Sequence, residues 1–138
     1  MPEPGESVVT AKSLMTPEEA TLFNLIKLVA QDHLLVLGKL PILHVISVTD
    51  QDEEARKALM RTIQPVRLDV VLVHPGTLQT KTVVKFQKNG QEMQRPDKRD
   101  QVANTVLKAA GITVILLHLN QTYSVEHLTA LLGLAEEE

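Results

Sequence analysis

The chain has 138 residues and a formal net charge of −3, which allows one domain with a substantial core. It contains no cysteine, which excludes disulfides, thiolate chemistry and cysteine-based zinc sites. Its aromatic residues are Phe23, Phe86 and Tyr123, so binding of single-stranded nucleic acid by base stacking is disfavoured.

The sequence is not expected to contain a signal peptide or a membrane span. No apolar run reaches the roughly 20 residues of a membrane span, and the first ten residues lack the pattern of a signal peptide. We therefore expect a cytoplasmic protein without membrane contact. Residues 1–13 are predicted to form a flexible tail, residues 14–134 a single domain, and residues 135–138 an acidic tail.

The first helix has a well-defined predicted start. Thr16 is a good N-cap, Pro17 fits the first helical position, and Glu19 completes a T-x-x-E capping box. The apolar face that follows predicts a helix ending near Gln31.

The middle of the chain is rich in aliphatic and β-branched residues. This composition predicts strands over Leu34–Leu37 and Ile42–Val48, with a bend or edge marked by Gly38 and Pro41. Thr49–Gln64 is interpreted as an acid-capped short helix or a structured insertion.

The second half of the chain shows two strands, a helix, a strand and a last helix. A turn at His74–Gly76 makes the first two of these strands antiparallel, and Gly111 ends the helix that Asp97 begins. The predicted strands are Val66–Val73, Thr80–Gln87 and Ile112–Leu119, and the predicted helices are Lys98–Ala110 and Ser124–Leu132. The last strand is nearly all aliphatic, as expected for a strand buried on both faces.

This order of elements predicts an α/β fold with a central mixed sheet flanked by helices, of αβββαβ type. The helix between the last two strands predicts a right-handed parallel crossover.

Four short motifs carry a family resemblance. They are Thr16-Pro17-Glu18-Glu19 before the first helix, Leu68-Asp69-Val70-Val71-Leu72 in a strand, Arg99-Asp100 at a helix start, and Ala109-Ala110-Gly111-Ile112 at its end. Their order resembles the DUF2726 family, a branch of the restriction-endonuclease-like superfamily that includes PD-(D/E)xK and very-short-patch-repair-like nucleases. The resemblance extends from about Met15 to Leu132 and implies a restriction-endonuclease-like core.

The resemblance also implies a nuclease site that has lost its acids. Asp69 falls where the family places a metal-binding acid, whereas Lys85 and Gln87 fall on the acids of an I-E-L-D-D-like run. Mg²⁺ usually needs one or two carboxylates together with water and phosphate oxygens. We therefore interpret Asp69, Lys85, Gln87 and Glu19 as a relic site, in which Lys85 pairs with Asp69 in place of a metal. The alternatives are a polar strand residue for Asp69 and a purely capping role for Glu19.

A basic segment extends across the relic motif of the second-half strands and beyond it. Its cations are Lys81, Lys85, Lys88, Arg95, Lys98 and Arg99. Such residues could contact nucleic-acid phosphates, or they could form a solvated charged loop. The histidines show no metal-ligand spacing and are expected to be surface or turn residues: His33, His44, His74, His118 and His127.

Three functions remain open from the sequence. The first is a catalytically degenerate nuclease-like domain that associates with DNA or another partner without a cofactor. The second is a nuclease dependent on Mg²⁺ or Mn²⁺, with Asp69 and Glu19 as metal ligands in a rearranged site. The third is a protein-interaction or homodimerisation domain that does not bind nucleic acid.

Overall fold

The computed structural model describes residues 8–87 and 98–134. Within these ranges, four strands form one sheet in the order β1-β2-β3-β4, which is antiparallel except for the parallel β3–β4 pair. The strands are β1 (Leu35–Pro41), β2 (Arg67–Val73), β3 (Thr80–Gln87) and β4 (Thr113–His118). The helices are α1 (Pro17–Ala30), α2 (Glu53–Ile63), α3 (Lys98–Ala109) and α4 (Val125–Leu131), with a 3₁₀ turn at Ile42–His44. No helix in the described ranges is long and apolar enough to cross a membrane.

The start of α1 follows the predicted capping box. The Thr16 hydroxyl accepts the Glu19 N–H at 3.2 Å, and Glu19 Oε1 accepts the Thr16 N–H at 2.9 Å. The helix ends at Ala30, with Gln31 as its C-cap. The capping box therefore fixes the Glu19 side chain at the beginning of α1 before any long-range contact is made.

Both faces of the sheet are covered by helices. On one face, α1 and α4 pack against Val70, Leu72 and Val84. On the other face, side chains of α2 and α3 pack against Val71, Val73 and Val83, among others. The adjacent Val83 and Val84 therefore serve opposite core clusters, which gives α/β/α layers with a mixed sheet in the middle.

The predicted strand over Ile42–Val48 is wrong. Pro41 ends β1, and Ile42–His44 forms a 3₁₀ turn that is followed by irregular chain. Ile42 is fully buried in the cluster on the α2 and α3 side, and its N–H still donates to the Val66 carbonyl at 3.1 Å. The apolar side chains of this segment therefore contribute to the core without a continuing ladder of backbone hydrogen bonds.

The prediction that the last strand is buried on both faces is also wrong. β4 lies at the edge of the sheet in the described part of the chain, and Leu116 is 52% exposed. Gly111 ends the preceding helix with φ of +81°, a backbone conformation that glycine adopts without steric cost.

The chain direction determines which residues meet at each end of the sheet. The carboxyl ends of β1, β3 and β4 lie together with the amino end of β2, an end of the sheet that we call the carboxyl edge. α3 has 12 residues and spans about 18 Å, whereas the six residues of β4 return about 20 Å in the opposite direction. The first turn of α3, at Lys98, therefore also lies at the carboxyl edge, near the level of His118.

Candidate functional site

Lys39 interrupts the regular geometry of β1. Its neighbours pair with β2 as Gly38↔Val70 and Leu40↔Leu68, so Lys39 lies opposite Asp69. Its φ is +56°, in the left-handed region that residues other than glycine seldom adopt. Such a conformation persists only where surrounding contacts determine it.

Those contacts are two carboxylates from different elements. Lys39 Nζ lies 2.8 Å from Glu19 Oε2 and 3.0 Å from Asp69 Oδ1. Glu19 Oε1 already accepts the Thr16 N–H, and Asp69 Oδ2 accepts the Phe86 N–H at 2.9 Å. Each of the four carboxylate oxygens therefore has a hydrogen-bond donor, and one ammonium joins α1, β1 and β2.

Asp69 lies where β2 separates from β3. The β2–β3 ladder runs from Val73↔Thr80 to Val70↔Val84, and beyond it the Phe86 N–H donates to the Asp69 side chain. The alternation of β2 also breaks here. Leu68 and Val70 are two residues apart, yet they belong to opposite core clusters. This break allows the Asp69 carboxylate to accept a hydrogen bond from the backbone of the neighbouring strand β3.

The electrostatics of the cluster favour the charged forms. Burial by itself raises the pKa of Glu19, but the hydrogen bonds from Lys39 and the Thr16 backbone outweigh burial, so this pKa is lowered. Burial likewise acts to lower the pKa of Lys39, and the hydrogen bonds to Glu19 and Asp69 raise it above its ordinary value. Glu19 and Lys39 are therefore both charged at neutral pH, and we call the Glu19–Lys39–Asp69 cluster, with its two ion-pair contacts, the ion triad.

The structure brings together two of the relic-site residues. Glu19 and Asp69 share one ammonium, but it comes from Lys39, and the expected Lys85–Asp69 pair is not formed. The sequence contained one signal for this role. Lys39 is the sole charged residue of an otherwise apolar strand, and a partly buried charge needs a partner.

This donor set does not fit the divalent ion that the resemblance implies. Within residues 8–87 and 98–134, no group of three or more His, Asp or Glu side chains is placed to hold a metal ion. The two carboxylates that do approach each other are bridged by the Lys39 ammonium. In this arrangement a cation of the chain itself lies between them.

Lys85 and Gln87 lie near the end of β3, at the carboxyl edge. Strand alternation places them on the same face as Val83, which belongs to the cluster on the α2 and α3 side. Phe86 packs on the opposite face, against the cluster of α1 and α4.

The predicted basic set is divided by the fold. Lys81 lies four residues before Lys85, about 13 Å away, towards the opposite end of β3. Lys98 and Arg99 begin α3 and are exposed at the carboxyl edge. Lys88 and Arg95 lie outside the described residues, as does the predicted N-cap Asp97. In the described chain, three of these cations thus belong to one end of the sheet: Lys85, Lys98 and Arg99.

Residues 11–135 match the family described as Protein of unknown function (DUF2726). The chain belongs to the DUF2726 family. The match includes every strand and α-helix of the described residues, so Glu19, Lys39 and Asp69 lie within the DUF2726 region. No curated protein and no solved structure shows a significant match to the chain.

Proposed function

We propose that this DUF2726 domain is a catalytically degenerate, restriction-endonuclease-like domain that associates with nucleic acid. The observation that carries the proposal is the position of the Lys39 ammonium, within 3.0 Å of both Glu19 and Asp69. In a metal-dependent nuclease, a divalent ion activates water and neutralises charge on the scissile phosphate. An ammonium can balance part of the carboxylate charge, but it cannot bind and activate water as a Lewis acid.

The residues of β3 support the same proposal. Lys85 and Gln87 stand where the family resemblance expects acids, so β3 supplies no carboxylate for a metal at these two positions. The cation that contacts Asp69 is Lys39, and it disfavours a second cation there because like charges repel.

Association with nucleic acid is supported by the distribution of charge. The chain has a net charge of −3, yet Lys85, Lys98 and Arg99 belong to the carboxyl edge. Contacts between such residues and phosphates give binding that depends on salt and little on sequence. The scarcity of aromatic residues favours duplex over single-stranded nucleic acid as the partner.

The proposal is tested by incubating the full chain with single- and double-stranded DNA, in Mn²⁺ and in EDTA, at two salt concentrations. We expect a mobility shift of duplex DNA in EDTA that weakens with salt, and no cleavage in Mn²⁺. Cleavage in Mn²⁺ that disappears in Asp69→Ala would overturn the proposal. The absence of both a shift and cleavage would contradict the nucleic-acid part.

A second candidate is a divalent-metal nuclease with a rearranged site. The observation that favours it is that Glu19 and Asp69, from α1 and β2, do meet across the fold. Catalysis would require the Lys39 side chain to leave the space between them. Under this alternative, Lys39→Ala should increase cleavage in Mn²⁺, whereas under the leading proposal the variant should remain inactive.

A third candidate is a protein-interaction domain. In the described chain β1 is an edge strand, and its Leu35 and Leu37 side chains are 46% and 42% exposed. An apolar, unpaired strand edge can pair with another chain. Analytical ultracentrifugation checks this candidate, because it predicts a dimer that dissociates in Leu37→Lys.

A further inference from the structure

Three polar side chains form a patch on the face of the sheet that bears α3. The parallel register pairs Gln87 with His118, and Lys85 with Leu116. Val83 and Val114 both belong to the cluster on the α2 and α3 side. Strand alternation therefore places Lys85, Gln87 and His118 on this same face, with neighbouring strands about 4.8 Å apart.

These side chains are half-buried and lack partners in the described chain. Within residues 8–87 and 98–134, no side-chain hydrogen bond or ion pair engages the Lys85 ammonium, the Gln87 amide or the His118 ring. The His118 backbone N–H, in contrast, donates to the Tyr123 hydroxyl at 2.9 Å, which fixes the end of β4. The patch thus combines polar side chains that are unpartnered within the described residues with a backbone that the sheet holds in place.

The chemistry of the patch suits a phosphate group. A lysine ammonium has three donor hydrogens, a glutamine amide has two, and an imidazole ring donates at least one in either tautomer. Hydrogen bonds to an ionised oxygen are stronger than those between neutral groups. The patch itself contains no carboxylate, and the nearest ladder position on β2 belongs to Asp69, whose charge Lys39 partly balances.

The first turn of α3 adds further positive charge at this edge. Lys98 and Arg99 begin the helix, and Asp100 is the acid in the same turn.

We propose that Lys85, Gln87 and His118 form a phosphate-binding site at the carboxyl ends of β3 and β4. This inference rests on the proposed nucleic-acid association and specifies the atoms that hold a phosphodiester of the duplex. The same chemistry would bind free inorganic phosphate, so the tests separate the two sources.

The first test is an NMR titration of the full chain with inorganic phosphate and, separately, with a duplex of about 16 base pairs. We expect the Gln87 side-chain amide and the His118 ring signals to move in both titrations. The ring of His127, which packs against Tyr123 in a tilted arrangement at a centroid distance of 5.6 Å, serves as the internal control, and its signals should not move.

The second test measures duplex affinity by fluorescence anisotropy at several salt concentrations. Lys85→Ala should weaken binding about tenfold and reduce the slope of log K against log salt by about 0.9, the value for one phosphate contact. Gln87→Ala and His118→Ala should weaken binding about threefold to tenfold, and the neutral Gln87 should leave the slope unchanged. Lys81→Ala is the matched control, because it removes the same charge from the other end of β3 and should retain affinity.

The Gln87→Glu variant tests the site with little risk of misfolding. It preserves the shape of the side chain and places a negative charge in the patch. It should abolish the phosphate-induced shift of His118 while the thermal unfolding midpoint stays close to that of the wild type.

Each outcome separates the inference from the proposed function. Wild-type affinity in Gln87→Glu, or equal losses in Lys81→Ala and Lys85→Ala, would overturn the inference even if DNA is bound. Response to inorganic phosphate without duplex binding would support the site and contradict the nucleic-acid function. Response to neither probe would refute both.

Discussion

Replacement of Lys39 by methionine tests the ion triad directly. The Lys39→Met variant keeps a long aliphatic side chain but removes the ammonium from between Glu19 and Asp69. The Glu19 side chain is 9% exposed and that of Asp69 25% exposed, so solvent can replace the lost donor only in part. Breaking a fully buried ion pair costs about 3–5 kcal/mol, and the partial exposure here lowers this to about 2–4 kcal/mol.

Urea unfolding measures this loss. With a slope of about 1–3 kcal/mol per molar urea, the midpoint should fall by about 1–2 M. Lys57→Met is the matched control, because Lys57 pairs with Glu53 at 3.2 Å on the surface of α2, with side chains 55% and 66% exposed. That pair should contribute less than about 0.5 kcal/mol.

Two further results bear on this reasoning. Combining Lys39→Met with Glu19→Gln and Asp69→Asn should recover much of the lost stability, because the unpaired carboxylates are then neutral. If Lys39→Met destabilises the protein no more than Lys57→Met, the triad does not hold the site together, and the argument from its geometry fails.

The remaining predictions concern pH, metal and the helix cap. Because the pKa of Glu19 is lowered in the folded state, this carboxylate stabilises the fold above its ordinary pKa of 4.5, and the stabilisation is lost as pH falls through the lowered pKa. Urea midpoints measured between pH 3 and 7 should therefore fall less steeply on acidification in Glu19→Gln than in the wild type. The raised pKa of Lys39 predicts a contribution that is present below 10.5 and is lost as pH rises through the raised pKa, which Lys39→Met should abolish in thermal melts in alkaline buffer. Mn²⁺ should raise the thermal midpoint of Lys39→Ala, where two carboxylates become available, and leave the wild type unchanged, as scanning calorimetry would show. Thr16→Ala should lower the free energy of unfolding by about 1 kcal/mol in urea titrations, through loss of the N-cap.

Features of the fold that depend on short stretches of sequence were predictable. Thr16 and Glu19 are three residues apart, and their capping box forms as the T-x-x-E pattern predicts. Ser124 caps α4 by accepting the His127 N–H, and Gly111 ends α3. The antiparallel β2–β3 pair and the parallel β3–β4 crossover also follow from element order and connection length.

The site could be predicted only in part, because its central contact is long-range. Lys39 lies 20 residues from Glu19 and 30 residues from Asp69 along the chain. No periodic pattern indicates that a lysine between Gly38 and Pro41 adopts a left-handed backbone and turns towards α1. The family resemblance predicted Lys85 as the partner of Asp69, because Lys85 falls where the resemblance expects an acid on the neighbouring strand.

Glu19 shows why competing interpretations of one residue need not exclude each other. The sequence predicted either a helix-capping role or a role in the relic site for Glu19, and each role belongs to a different carboxylate oxygen. Oε1 accepts the Thr16 N–H, and Oε2 contacts Lys39. Because glutamine also fits this position of a capping box, Glu19→Gln removes the charge while retaining the cap.

Charge balance connects the two proposed features of this domain. A divalent ion would neutralise both Glu19 and Asp69, whereas the Lys39 ammonium leaves the triad with one net negative charge. A phosphate that approached the triad would therefore meet residual repulsion, which a bound metal would have reversed. Lys85, Gln87 and His118 lie on the face of the sheet opposite α1 and carry no acid, so an anion at the proposed site would be kept away from this residual charge. Under the proposed function, acids absent from β3 would leave no catalytic centre, and the proposed patch on the other face of the sheet would bind phosphate without cleaving it.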